Sequence, residues 1–577
     1  MPPEKNWERS LYREPGEQAD GGVVVARVLA EAGVEYLFTI NGGHIFPILG
    51  ALRENGIRMI HMRHEQACAY AADGFARSSG RVGVCCVTAG CGLTNAVTGL
   101  CTAALAGSAV VCISGQHPAG EDGLGSFQEA YGSEICRSFA KHVRRVLAWS
   151  NIAFETRQAL RAALLSPQGV SVVEIPTDIL YERGALSEQR RGARVYAPGE
   201  VRSEADPRAV REALELLARA ERPLLAGGDG IFWSGASEEL REFAEWTGIP
   251  VYTRRAGQGA LPEDHPLAVR GAWKKPFTSR ADVVLAVGFR FWSGERFGQP
   301  PTWNEKATYI QLDAAPSRIG WHVDASLALV GDPKLVLRQM LEEAKRLGLD
   351  FGRHRNSEWA REREQVRANY ERVLREREAG THDAVPTHPD RLSRELCEVL
   401  DPDATVVVDS FTLSGWFTQW FRARFAGQVV DAGPLAPVGH GVGMAIGAQL
   451  ARPGKQVVVL SGDGGLGIGG WDIETALRYR LPIVVLVWNN SSWGPSFEEM
   501  PLLRGRTDPF EMLEGIRYDR MFEVLGCHTE HVERPEEFRP ALERALRSGR
   551  TAVLNVVGDK RIGHPTLGGN LLGSTKL

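Results

Sequence analysis

At 577 residues the chain is longer than one hydrophobic core usually grows, so about three domains of ordinary size are expected. An apolar fraction of 43%, a charged fraction of 24% and a formal net charge of −4 exclude a strongly basic polyanion binder, and nucleic acid is not an expected partner. No run approaches ~20 uninterrupted apolar residues, and Met1 to Asp20 has no apolar secretory segment, which predicts a cytoplasmic protein without membrane association.

Short apolar runs alternate with helical patterns along the chain, the pattern of parallel α/β layers, and the predicted fold class is α/β with three doubly wound parallel-sheet domains. The first block, 18–185, holds strand candidates at Tyr36–Ile40, Val82–Thr88, Ala109–Ser114 and Ser171–Ile175. Within it Asn41-Gly42-Gly43-His44-Ile45 follows the first strand, and the strand-like Met59–Met62 precedes His64-Glu65-Gln66, which opens a helix. A carboxylate in the first turn of a helix is favoured by the dipole whatever else it does. Cysteines such as Cys85, Cys86, Cys91 and Cys101 stand in apolar runs without metal-ligand spacing and read as buried free thiols.

A polar stretch at 184–205 reads as a linker to the second block, 206–348, which has a helix at Pro207–Ala220 and strands at Pro223–Ala226, Val283–Val287 and Thr308–Leu312. Asn356–Glu378 is so rich in Arg and Glu that it predicts an exposed connecting helix with i,i+4 ion pairs. The third block, 386–560, has strands at Thr405–Val408, Gln456–Leu460, Ile483–Trp488 and Ala552–Val556. The Gly-rich remainder, 561–577, reads as a C-terminal tail or lid.

The sharpest local signal is Ser461-Gly462-Asp463-Gly464-Gly465 between a strand and a helix, with Asn489-Asn490 after the next strand. Glycines there let backbone amides approach a diphosphate, and Asp463 and Asn490 offer oxygen to a hard cation. By themselves the same residues also make an ordinary turn. Their spacing resembles the Gly-Asp-Gly…Asn-Asn motif of thiamine-diphosphate-dependent enzymes. That resemblance implies thiamine diphosphate with Mg2+ held by Asp463, Asn490 and the carbonyl of Ser492, and backbone contacts to the cofactor at Gly462, Gly464 and Gly465. It makes Glu65 the activating carboxylate toward the aminopyrimidine ring and places Asn95, which follows Val87-Thr88-Ala89-Gly90-Cys91-Gly92, beside the cofactor. The stretch 433–448 resembles the thiazolium support, with Ala436 offering a carbonyl and Val438 standing where relatives commonly have methionine.

Two further likenesses bear on the substrate. Phe291-Trp292, Phe297-Gly298, Pro300-Pro301 and Tyr309–Asp313 look like the central domain of 2-hydroxyacyl-CoA lyases and oxalyl-CoA decarboxylases. This implies an ADP-type nucleotide, or FAD, in that domain and phosphate contacts from Arg254, Arg255, Lys274, Lys275 and Arg290. Asn41 to Ile45 and Asn489 to Gly494 resemble benzaldehyde lyase, which implies proton handling by His44. Ser126-Phe127-Gln128-Glu129 resembles the family's active-site segment, with Phe127 toward the substrate and Gln128 and Glu498 as further proton-handling or substrate residues. The resemblance to CoA-using relatives also makes the tail a lid over the substrate. The expected reaction is reversible cleavage of a 2-hydroxyacyl-CoA to formyl-CoA and an aldehyde or ketone, by a homodimer or homotetramer. The alternatives are a benzaldehyde-lyase-like or acetolactate-synthase-like carboligase, and a nucleotide-binding scaffold built on Gly227-Gly228-Asp229-Gly230.

Overall fold

The computed structural model describes residues 17–190, 192, 194–196, 199–494 and 503–565. It divides into two compact units, one of Met1–Val201 with Ala432–Pro453 and Gly469–Leu481, the other of Arg202–Asp431 with Gly454–Ile468 and Pro482–Leu577.

The first unit is built on a six-stranded parallel sheet whose strands, in spatial order, are Arg58–His61, Tyr36–Thr39, Gly83–Val87, Val110–Gln116, Val170–Pro176 and His142–Arg145. Gly83–Val87, Val110–Gln116 and Val170–Pro176 are buried on both faces, and for that reason they lack the alternation of a half-exposed strand, although Ser114, Gln116, Ser171 and Glu174 are buried within them. Helix Glu65–Ser79 lies against helix Gly441–Ala451 at backbone distance: a Cβ on Gly74 would stand 2.2 Å from the Met444 carbonyl, and one on Gly447 2.0 Å from that of Ala71. Only glycine permits this approach, which packs the middle of helix Glu65–Ser79 directly on the middle of helix Gly441–Ala451.

The second unit carries two six-stranded parallel sheets. The central one runs Ala268–Val269, Val251–Thr253, Pro223–Gly227, Val283–Val287, Thr308–Asp313, Ala325–Val330, which in chain order is 3-2-1-4-5-6. Alternate residues feed different cores, Leu225, Leu285 and Ile310 on one face and Leu224, Val284 and Tyr309 on the other. The third sheet runs Val429–Asp431, Thr405–Asp409, Val457–Gly462, Ile483–Asn489, Ala552–Val557, His528–Val532, the same 2-1-3-4-6-5 order as the first.

Helix Glu358–Thr381 has the expected i,i+4 pairs, Arg367–Glu371 at 3.4 Å and Arg372–Glu376 at 2.6 Å. It is not exposed all round, however. Trp359 is buried with its ring 4.8 Å from that of Phe277, and Arg363, Leu374 and Glu378 are buried as well, because one side covers the central sheet. All nine cysteines are free, as expected, but Cys91 is exposed where the chain leaves the sheet to begin helix Cys91–Ala106, and Cys101 is half-buried. Among the described residues no helix is long and apolar enough to cross a membrane.

Candidate functional site

In a parallel sheet, the loops at the carboxyl ends of the strands flanking a reversal of strand order form a ligand crevice. In the first sheet the reversal lies between Tyr36–Thr39 and Gly83–Val87, and the following loops carry His44 and Thr88. His44 sits in the short turn Gly43–Ile45, which Tyr181 pins by donating from its hydroxyl to the Gly43 carbonyl at 2.6 Å. The residue is 8% exposed, and its ring stacks on Phe127 at 6.1 Å and places Nδ1 3.2 Å from Thr88 Oγ1. Burial, and then the neighbouring His117, hold the imidazole below its ordinary pKa. Gln128 adjoins the same hydroxyl at 3.5 Å and donates to Cys91 Sγ at 3.4 Å. Glu65 is the first residue of its helix, whose N-cap is His64, and its Oε2 accepts from Asn95 Nδ2 at 3.0 Å. Among the described residues Oε1 accepts no hydrogen bond.

Ala436 belongs to the same unit and holds φ at 52°, a strained conformation for a residue with a Cβ. Val438 is 42% exposed. Asp472, which the sequence reading did not single out, is 2% exposed and accepts the backbone amide of Arg63 at 3.0 Å, fixing the turn that leads into Glu65. Burial raises its carboxyl to about 6. Nothing in Trp471-Asp472-Ile473 signals that role, because its partner is a backbone amide 409 residues away.

The third sheet reverses between Thr405–Asp409 and Val457–Gly462, and there Asp463 and Asn490 come together. Asp463, 2% exposed, accepts from the amides of Gly464 at 2.9 Å and Ser491 at 2.7 Å. No cation partners it among the described residues, and burial pushes its carboxyl up to about 6. Asn490 is 5% exposed; its amide nitrogen reaches the Gly494 carbonyl at 3.5 Å, while its oxygen accepts no hydrogen bond among the described residues. The bridge between Ser492 and Glu511 is closed by Trp493 N to Phe510 O and Met512 N to Ser491 O, so both of its hydrogen bonds bypass the Ser492 carbonyl.

The description "Thiamine pyrophosphate enzyme, N-terminal TPP binding domain" matches residues 19–135, the corresponding central domain 210–340, and the C-terminal TPP binding domain 412–556. The chain belongs to the thiamine-diphosphate-dependent enzyme family. It is 33% identical over 557 residues to a probable acetolactate synthase of Mycobacterium bovis, covering 96% of this chain and 98% of that one. It is 31% identical over 553 residues to a probable acetolactate synthase large subunit of Methanocaldococcus jannaschii, covering 93% and 92%. It is also 28% identical over 554 residues to 2-hydroxyacyl-CoA lyase 1 of Homo sapiens, covering 94% and 95%.

The residues fit thiamine diphosphate. In the first unit a carboxylate with one oxygen unengaged and a backbone carbonyl on a strained turn suit an aminopyrimidine; in the second a buried Asp463 with no cation partner among the described residues and the unengaged oxygen of Asn490 suit a hard cation bound to diphosphate.

The central sheet is different, because its basic residues are already engaged. Arg254 and Lys274 both pair with the fully buried Glu295, which also accepts from Tyr252 at 2.8 Å and Trp303 at 3.2 Å. Arg290 donates its Nε to buried Asp229 at 3.0 Å, and Arg255 stands 3.7 Å from the same carboxylate. Burial would lift Asp229, but these guanidiniums hold it below the usual carboxylate range. Asp229 thus lies in the Gly-Gly-Asp-Gly turn at the strand-order reversal, the position where a nucleotide's phosphates would need cations. The turn is closed besides: a Cβ on Gly228 would be 2.4 Å from the Gly288 carbonyl. Of the five cations Lys275 alone is exposed, and these residues do not fit a nucleotide. ADP or FAD should accordingly leave the melting temperature unchanged, whereas thiamine diphosphate with Mg2+ should raise it by several degrees, as differential scanning fluorimetry would show.

Glu498 and the tail from Thr566 onward lie outside the described residues.

Proposed function

We propose that this enzyme is a thiamine-diphosphate- and magnesium-dependent lyase that reversibly cleaves a 2-hydroxyacyl-CoA into formyl-CoA and an aldehyde or ketone. The observation carrying the reading is His44: a buried imidazole held toward its neutral form, whose Nε2 has no hydrogen bond among the described residues, in the same sheet-end crevice as Glu65. A 2-hydroxyacyl substrate must lose its hydroxyl proton for the carbon–carbon bond to break, and a neutral base at that position serves this step. In carboligation of 2-keto acids the decarboxylation step needs no such proton removal, and a base at this position would serve only the release of product.

Asp463, Asn490 and the Ser492 carbonyl hold the metal in this reading, Gly462, Gly464 and Gly465 admit the diphosphate, and Ala436 and Val438 support the thiazolium. When bound, thiamine diphosphate supplies the electron sink for the broken bond. Glu65 holds a proton toward the aminopyrimidine and is itself oriented by Asn95. His44 takes the hydroxyl proton, Gln128 and Glu498 orient substrate or move protons, and Phe127 packs on the acyl portion. Lys275 is the central-block cation available to CoA phosphates.

Incubating the enzyme with a panel of 2-hydroxyacyl-CoA esters and detecting formyl-CoA by mass spectrometry tests the reading; no formyl-CoA with any ester would sink it. The 33% identity to an acetolactate synthase favours a second reading, carboligation of 2-keto acids, and acetolactate formed from pyruvate in the same assay would select it.

The start of the tail is anchored. Trp416 Nε1 donates to the Gly563 carbonyl at 2.9 Å, and the His564 ring lies so close to Gly415 that a Cβ there would be 2.4 Å away. A cut at Gly563 would therefore damage the third domain, whereas a cut before Thr566 spares these contacts. Deleting 566–577 should leave the melting temperature within a degree or two but lower kcat/KM for acyl-CoA esters on the order of tenfold, through lost contacts and water exclusion. Unchanged kinetics would remove the lid.

A further inference from the structure

We propose that Thr88 is a positioning residue that holds His44 in its Nδ1–H tautomer and leaves Nε2 as the atom that takes the substrate's hydroxyl proton. The role given to His44 rests on the lyase reading above; the tautomer rests on hydrogen-bond accounting within one unit. Gln128, at φ 59°, donates from its amide nitrogen to Cys91 Sγ at 3.4 Å, so its oxygen is the atom facing Thr88 Oγ1 at 3.5 Å. An amide oxygen only accepts, so the hydroxyl proton of Thr88 goes to Gln128. A hydroxyl has one proton. Its contact with His44 Nδ1 at 3.2 Å must then be made by an N–H of the ring, and a neutral ring with Nδ1 protonated has its lone pair at Nε2. Run the other way, with Thr88 donating to Nδ1, the row leaves the Gln128 oxygen without its donor.

The groups around the ring agree with this arrangement. Phe127 stacks on one face of His44 and has no proton to offer. The titratable neighbour is His117, 2% exposed, whose ring nitrogens both face acceptors: Nδ1 lies 2.7 Å from Gln116 Oε1, and Nε2 lies 2.7 Å from Asp122 and 3.7 Å from Glu129. The Gln116 amide is itself oriented, donating to Glu174 and to the Ala130 carbonyl at 3.3 Å each. After burial, His117 is the neighbour that holds the His44 imidazole toward its neutral form.

The test compares Thr88→Val, which keeps shape and loses the hydroxyl, with Thr88→Ser, which keeps the hydroxyl. The first readout needs no cofactor or substrate: deuterium exchange at the imidazole C2 of His44 in the full-length protein, followed by mass spectrometry across pH. If Thr88 accepts from Nδ1–H, Thr88→Val removes an acceptor that binds the imidazolium more strongly than the neutral ring, and the His44 pKa falls. If Thr88 instead donates to Nδ1, the same change raises it. A raised or unchanged value overturns the proposal.

The second readout is kinetic. Thr88→Val should lower kcat about tenfold with KM within about twofold, Thr88→Ser should restore it, and in a His44→Ala background Thr88→Val should add nothing. An equal loss in that background would mean that Thr88 acts otherwise than through His44. Should the enzyme form acetolactate and no formyl-CoA, the same cycle is read on that reaction, so that failure of the CoA reading is distinguishable from failure of this one.

Discussion

Glu65→Gln is expected to fold, to bind thiamine diphosphate and to turn over about 10²–10⁴-fold more slowly than the parent. The side chains are nearly isosteric, and the amide oxygen can still accept from Asn95 at the 3.0 Å contact now made by Oε2. What the amide lacks is an exchangeable proton site at the second oxygen, the one with no hydrogen bond among the described residues. Loss of a carboxylate from the first turn of helix Glu65–Ser79 should cost no more than about 1 kcal/mol of stability through the helix dipole. Circular dichroism, cofactor titration and steady-state kinetics together check it. Near-parental turnover would remove Glu65 from the activating role, and a collapsed melting temperature would mean that the residue is structural.

The second large effect is at Asp463, and it runs in opposite directions in apo and loaded protein. Burial raises this carboxyl from an ordinary 3.8 to about 6, so ionising it opposes folding. A folded-state pKa above the unfolded one means that the contribution to stability is whole below about pH 4 and lost as pH climbs through about 6. A shift of this size corresponds to roughly 3 kcal/mol in apoprotein at neutral pH. Asp463→Asn removes the ionisation. At pH 7.5 the apo variant should melt higher than apo parent, whereas at pH 4 the two should agree. With Mg2+ and thiamine diphosphate the order should reverse: the parent gains, and the variant, lacking an anionic ligand, neither shifts nor turns over. A variant with full cofactor-induced stabilisation would take Asp463 out of the metal site.

The two variants also test assembly. Family resemblance places Glu65 of one chain with Asp463 of another, and we propose a homodimer or homotetramer on that basis. Mixing Glu65→Gln and Asp463→Asn chains through a dissociation and reassociation step should return activity that neither variant has alone. Persistent inactivity, with mixed oligomers shown by mass spectrometry, would mean that each chain completes its own site.

The strands the sequence reading identified are mostly interior ones. Val110–Gln116, Val283–Val287 and Ile483–Asn489 have neighbours on both edges and are buried throughout, so each opens on a run of at least four apolar residues. Five of the strands it left unnamed, His142–Arg145, Ala268–Val269, Ala325–Val330, Val429–Asp431 and His528–Val532, are sheet edges, where one side lacks a partner strand and polar side chains are tolerated. Of the other three, Val251–Thr253 lies next to an edge and is three residues long, and Gln18–Asp20 and Arg183–Ala185, also three residues each, form a two-stranded antiparallel sheet. The helix Glu358–Thr381 misled in a related way, since its charged majority hides the few positions, Trp359 above all, that face the core.

The sequence by itself determined the three parallel sheets, the helix that begins at Glu65, and the joint placement of Asp463 and Asn490 at the ends of neighbouring strands, because each depends on residues close in the chain or on strand periodicity. Only the tertiary structure decided which cations are available. Arg254, Lys274, Arg255 and Arg290 look alike as sequence, yet each meets a buried carboxylate that is brought to it by sheet pairing and loop packing. Only the fold, likewise, put Thr88 between His44 and Gln128, residues 44 and 40 positions away in the chain. Hydrogen-bond direction there follows from which acceptor stands next to which donor in space, and no local pattern encodes it.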